Sequence, residues 1–435
     1  MEPHTHQEKT IIGATLIDGT GRVALKEAII IIEGNRIKFV GKKDELKIPR
    51  DAQVIEASGK WIIPGLIDAH CHPFITKARG QMTPQAKFFE KADRCENALK
   101  QYLASGVTTI VDVGGDEEEA LTTREALKKG TKIGPRVLLA PMLTNKDGHG
   151  REFGILNVRM LDDPASIKHH LDEVSQLNFD LVKLIIEPRI GIPFSYEQLK
   201  QIFEDVHKRG LRVMTHNEIL ETHAVSILEL RPTATSHVQV DGILVEEMLE
   251  AYGNYSIYTI PTAFVLCFFG DYMEKPQKRV FDDNFHRRIV SADVLKYYAP
   301  EVFWETPDPL NNQRDMMRKN VRKNVQLLHE HHALFGVGSD APMPGVFYGA
   351  GVHDEMQELV RCSLSPMEAL IAATRNNAEL LGVLSDRGTI EVGKFADMVI
   401  LSADPLNDIT NTHQIQCVIE DGTFFDPDKL IQASI

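Results

Sequence analysis

Two histidines, His70 and His72, stand two residues apart at the end of an apolar stretch of strand character, residues 64–72. On a β-strand, alternate residues point to the same face, so both imidazoles can reach one point in space while Cys71 points away. Neutral imidazole is the commonest protein ligand for zinc-like ions, so the pair predicts half of the coordination shell of a metal ion. Residues 4–6 repeat the same spacing in a polar tail, but no strand precedes them, and we interpret that repeat as coincidence.

Four further residues with ligand atoms end or interrupt apolar segments. Lys183 lies within the apolar segment 181–186, where an ammonium is costly to bury unless it is neutral or paired. His216, His237 and Asp340 each end a segment of the same kind. Taken singly, each residue has an ordinary structural explanation, such as a snorkelling lysine, a hydrogen-bonded core histidine or a helix-capping aspartate.

Short apolar segments alternate with helical patterns through most of the chain, as at the helical stretches 83–105 and 195–209. The predicted strands cover residues 65–72, 108–115, 136–143, 181–186, 211–216, 234–239, 256–264 and 335–340. Eight such repeats favour an α/β fold, a (β/α)₈ TIM barrel. The ligand-type residues fall near the carboxyl ends of the first, fourth, fifth, sixth and eighth strands, where barrel active sites lie. Together they predict one shared site.

Both ends of the chain have the pattern of β-structure. Residues 27–40 predict a hairpin whose turn contains Gly34. Residues 397–401 and 416–425 predict further strands, with an Asp-Gly turn at 421–422. The two ends therefore differ from the alternating pattern between them.

About seventy residues, 266–334, separate the seventh and eighth predicted strands, which is far longer than a typical loop. Residues 311–332 are predicted to be helical. The apolar positions of this helix are interpreted as packing residues: Met316, Val321, Val325 and Leu328. An insertion after a barrel strand lies over the active site, so we expect a lid or substrate wall, with an oligomer contact as an equal alternative.

The composition limits the class of protein. The 435 residues are 43% hydrophobic and 25% charged, which is ordinary for a soluble globular chain with room for a barrel and an accessory domain. A formal net charge of −14 argues against nucleic acid and anionic membranes as partners, because phosphate-binding surfaces need basic patches. Five scattered cysteines do not suggest a disulfide framework. No signal peptide or membrane span is recognisable, so a cytoplasmic location is expected.

The sequence resembles the amidohydrolase superfamily at every candidate ligand. The residues that carry the resemblance are 64–72, Lys183, His216, His237 and 338–340. Finer similarities to the imidazolonepropionase-like and prolidase-like branch lie at 104–109, 112–115, 148–150 and 388–397. The resemblance covers nearly the whole chain.

The resemblance implies a protein of two parts. A (β/α)₈ barrel would occupy residues 65–384, with the insertion 266–334 between its seventh and eighth strands. Residues 1–64 and 385–435 would combine into a small β-sandwich beside it. A homo-oligomer is the expected state.

The resemblance also implies a site with two divalent metal ions, zinc in the first instance, with manganese, cobalt or iron as alternatives. One ion would be bound by His70, His72 and Asp340, and the other by His216 and His237. Lys183, carboxylated on its amine, would bridge them. A hydroxide held between the ions would attack an amide or peptide-like C–N bond of a small substrate, such as a dipeptide or an N-acyl amino acid. Asp340 would take the proton of that water and pass it to the leaving group.

Two departures from the prolidase-like pattern fall where substrate would lie. Residues 187–189 are Glu-Pro-Arg, where many of those relatives have Ser-Gly-Gly, and Asn217 and Glu218 follow the histidine at 216 in place of small residues. These departures do not affect the predicted metal ligands. With them, the sequence does not indicate specificity for dipeptides. The residues predicted to contact substrate or to support the pocket are His149, Arg151, Glu218 and His353.

Other functions remain open at this point. A one-metal deaminase of the same superfamily would give Lys183 no role, and its glutamate normally lies three residues after the histidine, whereas Glu218 lies two after His216. Ester, lactone or xenobiotic amide hydrolysis would use the same site. A non-catalytic scaffold need not keep the ligands, yet this chain has all six.

Overall fold

The computed structural model describes residues 8–42, 44–45, 52–75, 95–145, 159–161, 163–186, 194–217, 224–267, 283–297, 311–343 and 345–432. Within these ranges the chain is an α/β protein with one mixed sheet and two parallel sheets. In the same ranges, no helix is both long enough and apolar enough to cross a bilayer.

The described strands are β1 (Lys9–Leu16), β2 (Leu25–Glu33), β3 (Arg36–Lys42), β4 (Gln53–Glu56), β5 (Trp61–Pro64), β6 (Leu66–Cys71), β7 (Val107–Asp112), β8 (Arg136–Leu139), β9 (Met142–Thr144), β10 (Arg159–Met160), β11 (Leu181–Ile185), β12 (Arg212–His216), β13 (Ala234–Ser236), β14 (Tyr258–Ile260), β15 (Leu334–Phe335), β16 (Met398–Leu401), β17 (Ile415–Glu420) and β18 (Thr423–Phe425). The longer described helices are Cys95–Ala104, Glu117–Lys128, Pro164–Gln176, Tyr196–Lys208, Glu246–Tyr255, Asn311–Glu330 and Ala350–Arg361. The shorter ones are Ala224–Glu229, Asn284–Ile289, Ala292–Tyr297, Pro366–Ile371, Ala372–Asn376, Asn377–Leu380, Ile409–His413 and Pro427–Gln432.

Strands from both ends of the chain share the mixed sheet. Its order is β18-β17-β16-β5-β1-β2-β3, and β4 pairs with β1. The strands β5 and β16 run antiparallel, with Trp61 opposite Leu401. The predicted hairpin is confirmed as β2 and β3, and the predicted Asp-Gly turn joins β17 to β18. The two chain ends therefore form one β-rich part.

Each of the eight predicted segments overlaps a parallel strand, and β8 and β9 together occupy the third. The short parallel strand β10 was not predicted. One parallel sheet contains β6, β7 and β8. The other has the order β10-β9-β11-β12-β13-β14-β15. Helices follow most of these strands in the chain, as the alternating pattern predicted.

Backbone hydrogen bonds connect the two parallel sheets at two places. On one side, the N–H of Asp180, just before β11, donates to the carbonyl of Leu139 in β8 at 3.0 Å. On the other side, the N–H of Ala69 donates to the carbonyl of Val337 at 3.0 Å, and the N–H of Asp340 donates to the carbonyl of His70 at 2.8 Å. The segment that ends in Asp340 therefore lies alongside β6.

Helices account for all the described structure in the long segment between the seventh and eighth predicted strands. The predicted helix at 311–332 is confirmed as Asn311–Glu330. Val321, Val325 and Leu328 are fully buried, but Met316 is 49% exposed, so the packing prediction is wrong for that residue. The step of five residues from Met316 to Val321 turns the helix about 140° away from the buried stripe.

Candidate metal centre

The six predicted ligands are all buried, and they come from the carboxyl ends of five parallel segments. Each of them has an exposed fraction of 6% or less: His70, His72, Lys183, His216, His237 and Asp340. Cys71, between the first two, packs instead in the apolar cluster that contains Phe74 and Tyr102, as strand alternation predicted.

Four imidazoles gather around one carboxylate. The Nε2 atoms of His70 and His72 each lie 3.3 Å from Oδ1 of Asp340. The ring centroids of His70 and His237 are 4.9 Å apart, and those of His237 and His216 are 4.3 Å apart. Ligand atoms of His70, His237 and Asp340 all lie within 4.8 Å of one another. The structure thus brings together residues that are up to 270 positions apart in the chain.

Lys183 faces the same interior. Its neighbours Val182 and Leu184 belong to the cluster that packs against the helices, whereas Leu181 belongs to a second cluster, which contains Ile67 and Met214 of other parallel strands. Alternation along β11 therefore directs Lys183 inward. Burial lowers the pKa of His70 to about 3, and the positive charge of Lys183 acts in the same direction.

Two histidines are oriented by hydrogen bonds at the ring nitrogen that faces away from Asp340. The Nδ1 atom of His72 lies 2.8 Å from the carbonyl oxygen of Gly114. The Nδ1 atom of His237 lies 2.7 Å from the hydroxyl of Thr262. Such partners fix the orientation of a ring and so of the nitrogen that would bind a metal ion.

Three non-glycine residues of this region have a left-handed backbone. The φ angles are 67° at His237, 47° at Thr262 and 61° at Asp340. This conformation is rare for residues other than glycine, above all for a β-branched threonine, and costs on the order of 1–3 kcal/mol. Strain of this kind persists only where surrounding contacts enforce it, and it gathers here at the ends of three parallel segments.

Asp68, which the sequence analysis did not single out, ties the first strand to the eighth. Its carboxylate accepts hydrogen bonds from the N–H of Ser339 at 2.9 Å and from the Ser339 hydroxyl at 2.5 Å. It also accepts the N–H of His70 at 3.2 Å. Burial raises the pKa of Asp68 to about 7, although these donors favour its ionised form. A carboxylate inside the apolar segment 66–71 is the same signal that marked Lys183, so the sequence could have indicated it.

Asn377 strengthens the same junction between the first and eighth strands. Its Nδ2 donates to the carbonyls of Ile67 and Val337, each at 2.7 Å, and its Oδ1 accepts the N–H of Val337 at 3.1 Å. The amide therefore bridges two backbones that carry ligands a few residues farther on.

The donor set fits a divalent cation. Although burial opposes the shift, the hydrogen bonds from His70 and His72 hold the pKa of Asp340 well below its usual range, so its carboxylate is ionised. The low pKa of His70 keeps that imidazole neutral, which is the form that binds metals. Burial also opposes the shift of His72, but Asp340 raises its pKa, so a metal ion would compete with a proton for that ring.

The predicted substrate contacts are not brought to this centre by the described structure. His149, Arg151 and Glu218 lie outside the described residues. His353 is described: its Nδ1 lies 2.9 Å from the Thr412 hydroxyl and its Nε2 lies 2.8 Å from the carbonyl of Ser105. Ser105 precedes β7, so this contact lies at the amino end of that strand, whereas the candidate ligands lie towards the carboxyl ends of other parallel strands. The role predicted for His353 stays a prediction, but both of its ring nitrogens are already engaged.

Comparison with known proteins agrees with the fold and with the family that the sequence resembles. The pattern of the amidohydrolase family matches residues 61–424. Imidazolonepropionase from Legionella pneumophila (strain Lens) is 24% identical over 429 residues, which cover 91% of this chain and 92% of that protein. The structure of molinate hydrolase matches with a TM-score of 0.76 at 23% identity, covering 97% of this chain and 95% of that one. The structure of a Xaa-Pro dipeptidase with bound methionine matches with a TM-score of 0.74 at 20% identity. The match covers 97% of this chain and 100% of that one.

This chain belongs to the amidohydrolase family. Its relatives are of the imidazolonepropionase-like and prolidase-like kind, so the resemblance identified from the sequence is confirmed.

Proposed function

We propose that this protein is a metal-dependent hydrolase that cleaves an amide or peptide-like C–N bond of a small molecule. The observation that carries the proposal is the convergence of buried imidazoles on the ionised carboxylate of Asp340 at the ends of parallel strands. The relatives support it, since one is named a hydrolase of molinate and another a dipeptidase. The substrate of this chain is not given by their names.

The parallel strands are proposed to close into a (β/α)₈ TIM barrel over residues 65–384. The backbone hydrogen bonds from Asp180 to Leu139 and from Ala69 to Val337, which join the two parallel sheets at two places, support this closure. Residues 1–64 and 385–435 would form the β-sandwich beside the barrel, and the shared mixed sheet supports their association. Whether the insertion 266–334 is a lid or an oligomer contact stays a prediction, as do the homo-oligomer and the cytoplasmic location.

Two divalent ions, zinc in the first instance, are proposed for the centre. His70, His72 and Asp340 would hold one, and His216 and His237 the other. The amine of Lys183, carboxylated, would supply an oxygen to each. When bound, the ions would supply a water of lowered pKa and polarise the carbonyl group of the substrate.

The protein side chains would transfer the proton from the attacking water to the leaving group. Asp340 is ionised and close to two imidazoles, so it can accept a proton from the attacking water and deliver it to the departing nitrogen. The strained backbone at residue 340 and its link through Ser339 to Asp68 would hold that carboxylate in place. Burial of the whole cluster would keep bulk water from competing for these groups.

Metal content is the first test of this proposal. Protein purified without chelators is expected to carry two divalent ions per chain when it is measured by inductively coupled plasma mass spectrometry. One ion per chain would favour the deaminase alternative, and protein that binds none after incubation with zinc, cobalt or manganese would contradict the proposal. Amide, ester and lactone substrates assayed side by side would then show which bond the same centre cleaves.

The bridging role of Lys183 has its own test. Lys183→Ala should lose both ions and most activity, because two oxygen ligands disappear from the centre. Acetate or propionate can enter the vacated space and supply the same oxygens, so partial recovery of metal content with such an acid is expected. Lys128→Ala, which removes a lysine with a 61% exposed side chain, is the matched control. Full metal occupancy of Lys183→Ala without added acid would rule out the bridge.

A further inference from the structure

Glu355 is a buried acidic residue with no place in the proposed reaction. It lies on the helix Ala350–Arg361 and is 1% exposed. Its Oε1 accepts the N–H of Ala263 at 2.9 Å, and its Oε2 accepts the N–H of Phe264 at 2.7 Å. Burial raises the pKa of Glu355 to about 8, although the two N–H donors favour its ionised form. Its two oxygens together fix this piece of backbone.

The backbone that Glu355 holds begins directly after Thr262. Thr262 is fully buried and left-handed, with φ of 47°, a conformation that a β-branched residue leaves unless it is restrained. Its hydroxyl lies 2.7 Å from Nδ1 of His237. A chain of short contacts therefore runs from Glu355 through the turn at 262–264 to one of the imidazoles of the centre.

We propose that Glu355 is a positioning residue for the metal centre and acts on His237 through Thr262. Without the carboxylate, two buried N–H groups lose their acceptor, and the turn relaxes away from its left-handed conformation. The Thr262 hydroxyl then moves, and the ring of His237 loses the contact that sets its orientation. Partners of this kind typically change metal affinity 10–100-fold when they are removed. The inference rests on the proposed function, because it takes His237 to be a metal ligand.

Glu358, one turn farther along the same helix, provides a matched control. Its side chain is 2% exposed, and its oxygens pair with Arg322 at 2.6 Å and with Arg361 at 2.7 Å. It is therefore a buried glutamate of the same helix that pairs with arginine side chains outside the centre. Glu358→Gln should lower the melting temperature and leave metal binding unchanged.

The experiment measures zinc binding by competition with a chromophoric chelator, alongside thermal unfolding. Glu355→Gln keeps the shape of the side chain and one acceptor oxygen, but it turns an NH₂ donor towards the second backbone N–H. We expect its zinc affinity to fall at least ~10-fold relative to the parent and to Glu358→Gln. The zinc affinity of Thr262→Val, which removes only the hydroxyl link, should fall by a similar factor. If Glu355 acts through Thr262, the double variant should bind zinc no more weakly than the single variant with the lower zinc affinity.

Three outcomes would overturn the inference. Glu355→Gln with parental zinc affinity and a melting temperature lowered like that of Glu358→Gln would make Glu355 merely structural. Fully additive losses in the double variant would remove Thr262 from the path. If Glu355→Gln does not fold, Glu355→Asp replaces it, and parental zinc affinity in that variant would be equally contrary. A parent protein that binds no zinc or cobalt would instead contradict the proposed function, so the two failures are distinguishable.

Discussion

Asp340 combines the contacts of a metal ligand with the charge of a general base. Asp340→Asn keeps one carbonyl oxygen for a metal but cannot accept a proton, so kcat should fall at least ~10²-fold while much of the metal content is retained. Initial-rate kinetics on protein of measured metal content would check this. Asp386→Asn, at a position with a 44% exposed side chain, is the control. Near-normal turnover by well-metallated Asp340→Asn would leave the proton transfer to another group.

Asp68 should matter for stability more than any exposed acid. Asp68→Ala leaves the N–H and hydroxyl of Ser339 and the N–H of His70 without their acceptor, which should cost at least ~2 kcal/mol of the free energy of unfolding. Asp68→Asn retains one acceptor oxygen and should lose less. Urea unfolding of both variants gives the comparison. Equal stability of Asp68→Ala and the parent would mean that water satisfies those donors.

The sequence indicated the residues of the centre whose types are unusual for their surroundings. His70, Lys183 and Asp340 each interrupt or end apolar segments, and the fold brings them together as expected. It did not indicate Glu355 or Thr262. A glutamate in an amphipathic helix and a threonine after a strand are ordinary in sequence, and the partners of Glu355 lie about 90 residues away. Only the tertiary structure shows that Glu355 holds the backbone directly after Thr262.

At the level of elements, the helix Asn284–Ile289 is fastened to its neighbours by a buried histidine. Nε2 of His286 lies 2.9 Å from Asp354 on the helix Ala350–Arg361, and its Nδ1 lies 3.8 Å from Asp283. Burial acts in the opposite direction, but these two carboxylates raise the pKa of His286 to about 9. His413 lies on the other side of Asp283, 3.7 Å from it, so this carboxylate is shared.

The raised pKa of His286 predicts a pH dependence of stability. An unfolded histidine titrates near ~6.5, so the stabilisation is fully present below about pH 6.5 and is lost as the pH rises towards 9. The free energy of unfolding should decline by ~1–3 kcal/mol over this window, and His286→Gln should lack that part of the decline. Urea unfolding at pH 6, 7.5 and 9 would measure it, with the exposed His169→Gln as the control. Parallel pH profiles for parent and His286→Gln would contradict the prediction.

The strands were predictable from sequence, but one of them is divided. The third predicted segment forms β8 and β9, which are separated by Ala140 and Pro141. Proline has no N–H for the sheet, so continuous pairing fails there, while the carbonyl of Pro141 still accepts the N–H of Lys183 at 3.0 Å. The pattern of apolar residues gives no sign of this local break, whereas the ladder of the folded sheet does.

For the whole molecule, Arg136 joins the parallel strands to the β-rich part. This first residue of β8 contacts Asp397 at 3.1 Å, Glu420 at 4.0 Å and also Asp421. Arg136→Ala would leave the buried Asp397 without its ion pair and should destabilise the protein by about 3 kcal/mol. The ion pair of Arg36 with Asp386 is nearly half exposed, so Arg36→Ala should lower the free energy of unfolding by less than about 1 kcal/mol. Equal losses of stability in the two variants would show that this junction contributes little.

The pairing of β5 with β16 has a consequence for the synthesis of the chain. Residues 61–64 leave the ribosome about 330 residues before their partners at 398–401. At about 5–20 residues per second, that interval lasts roughly 20–60 s. During this time, one edge of β5 has no neighbouring strand, and the β-rich part cannot be completed. A ribosome that stalls before residue 398 would therefore release a chain with an open β edge, the kind of surface through which unfinished proteins associate.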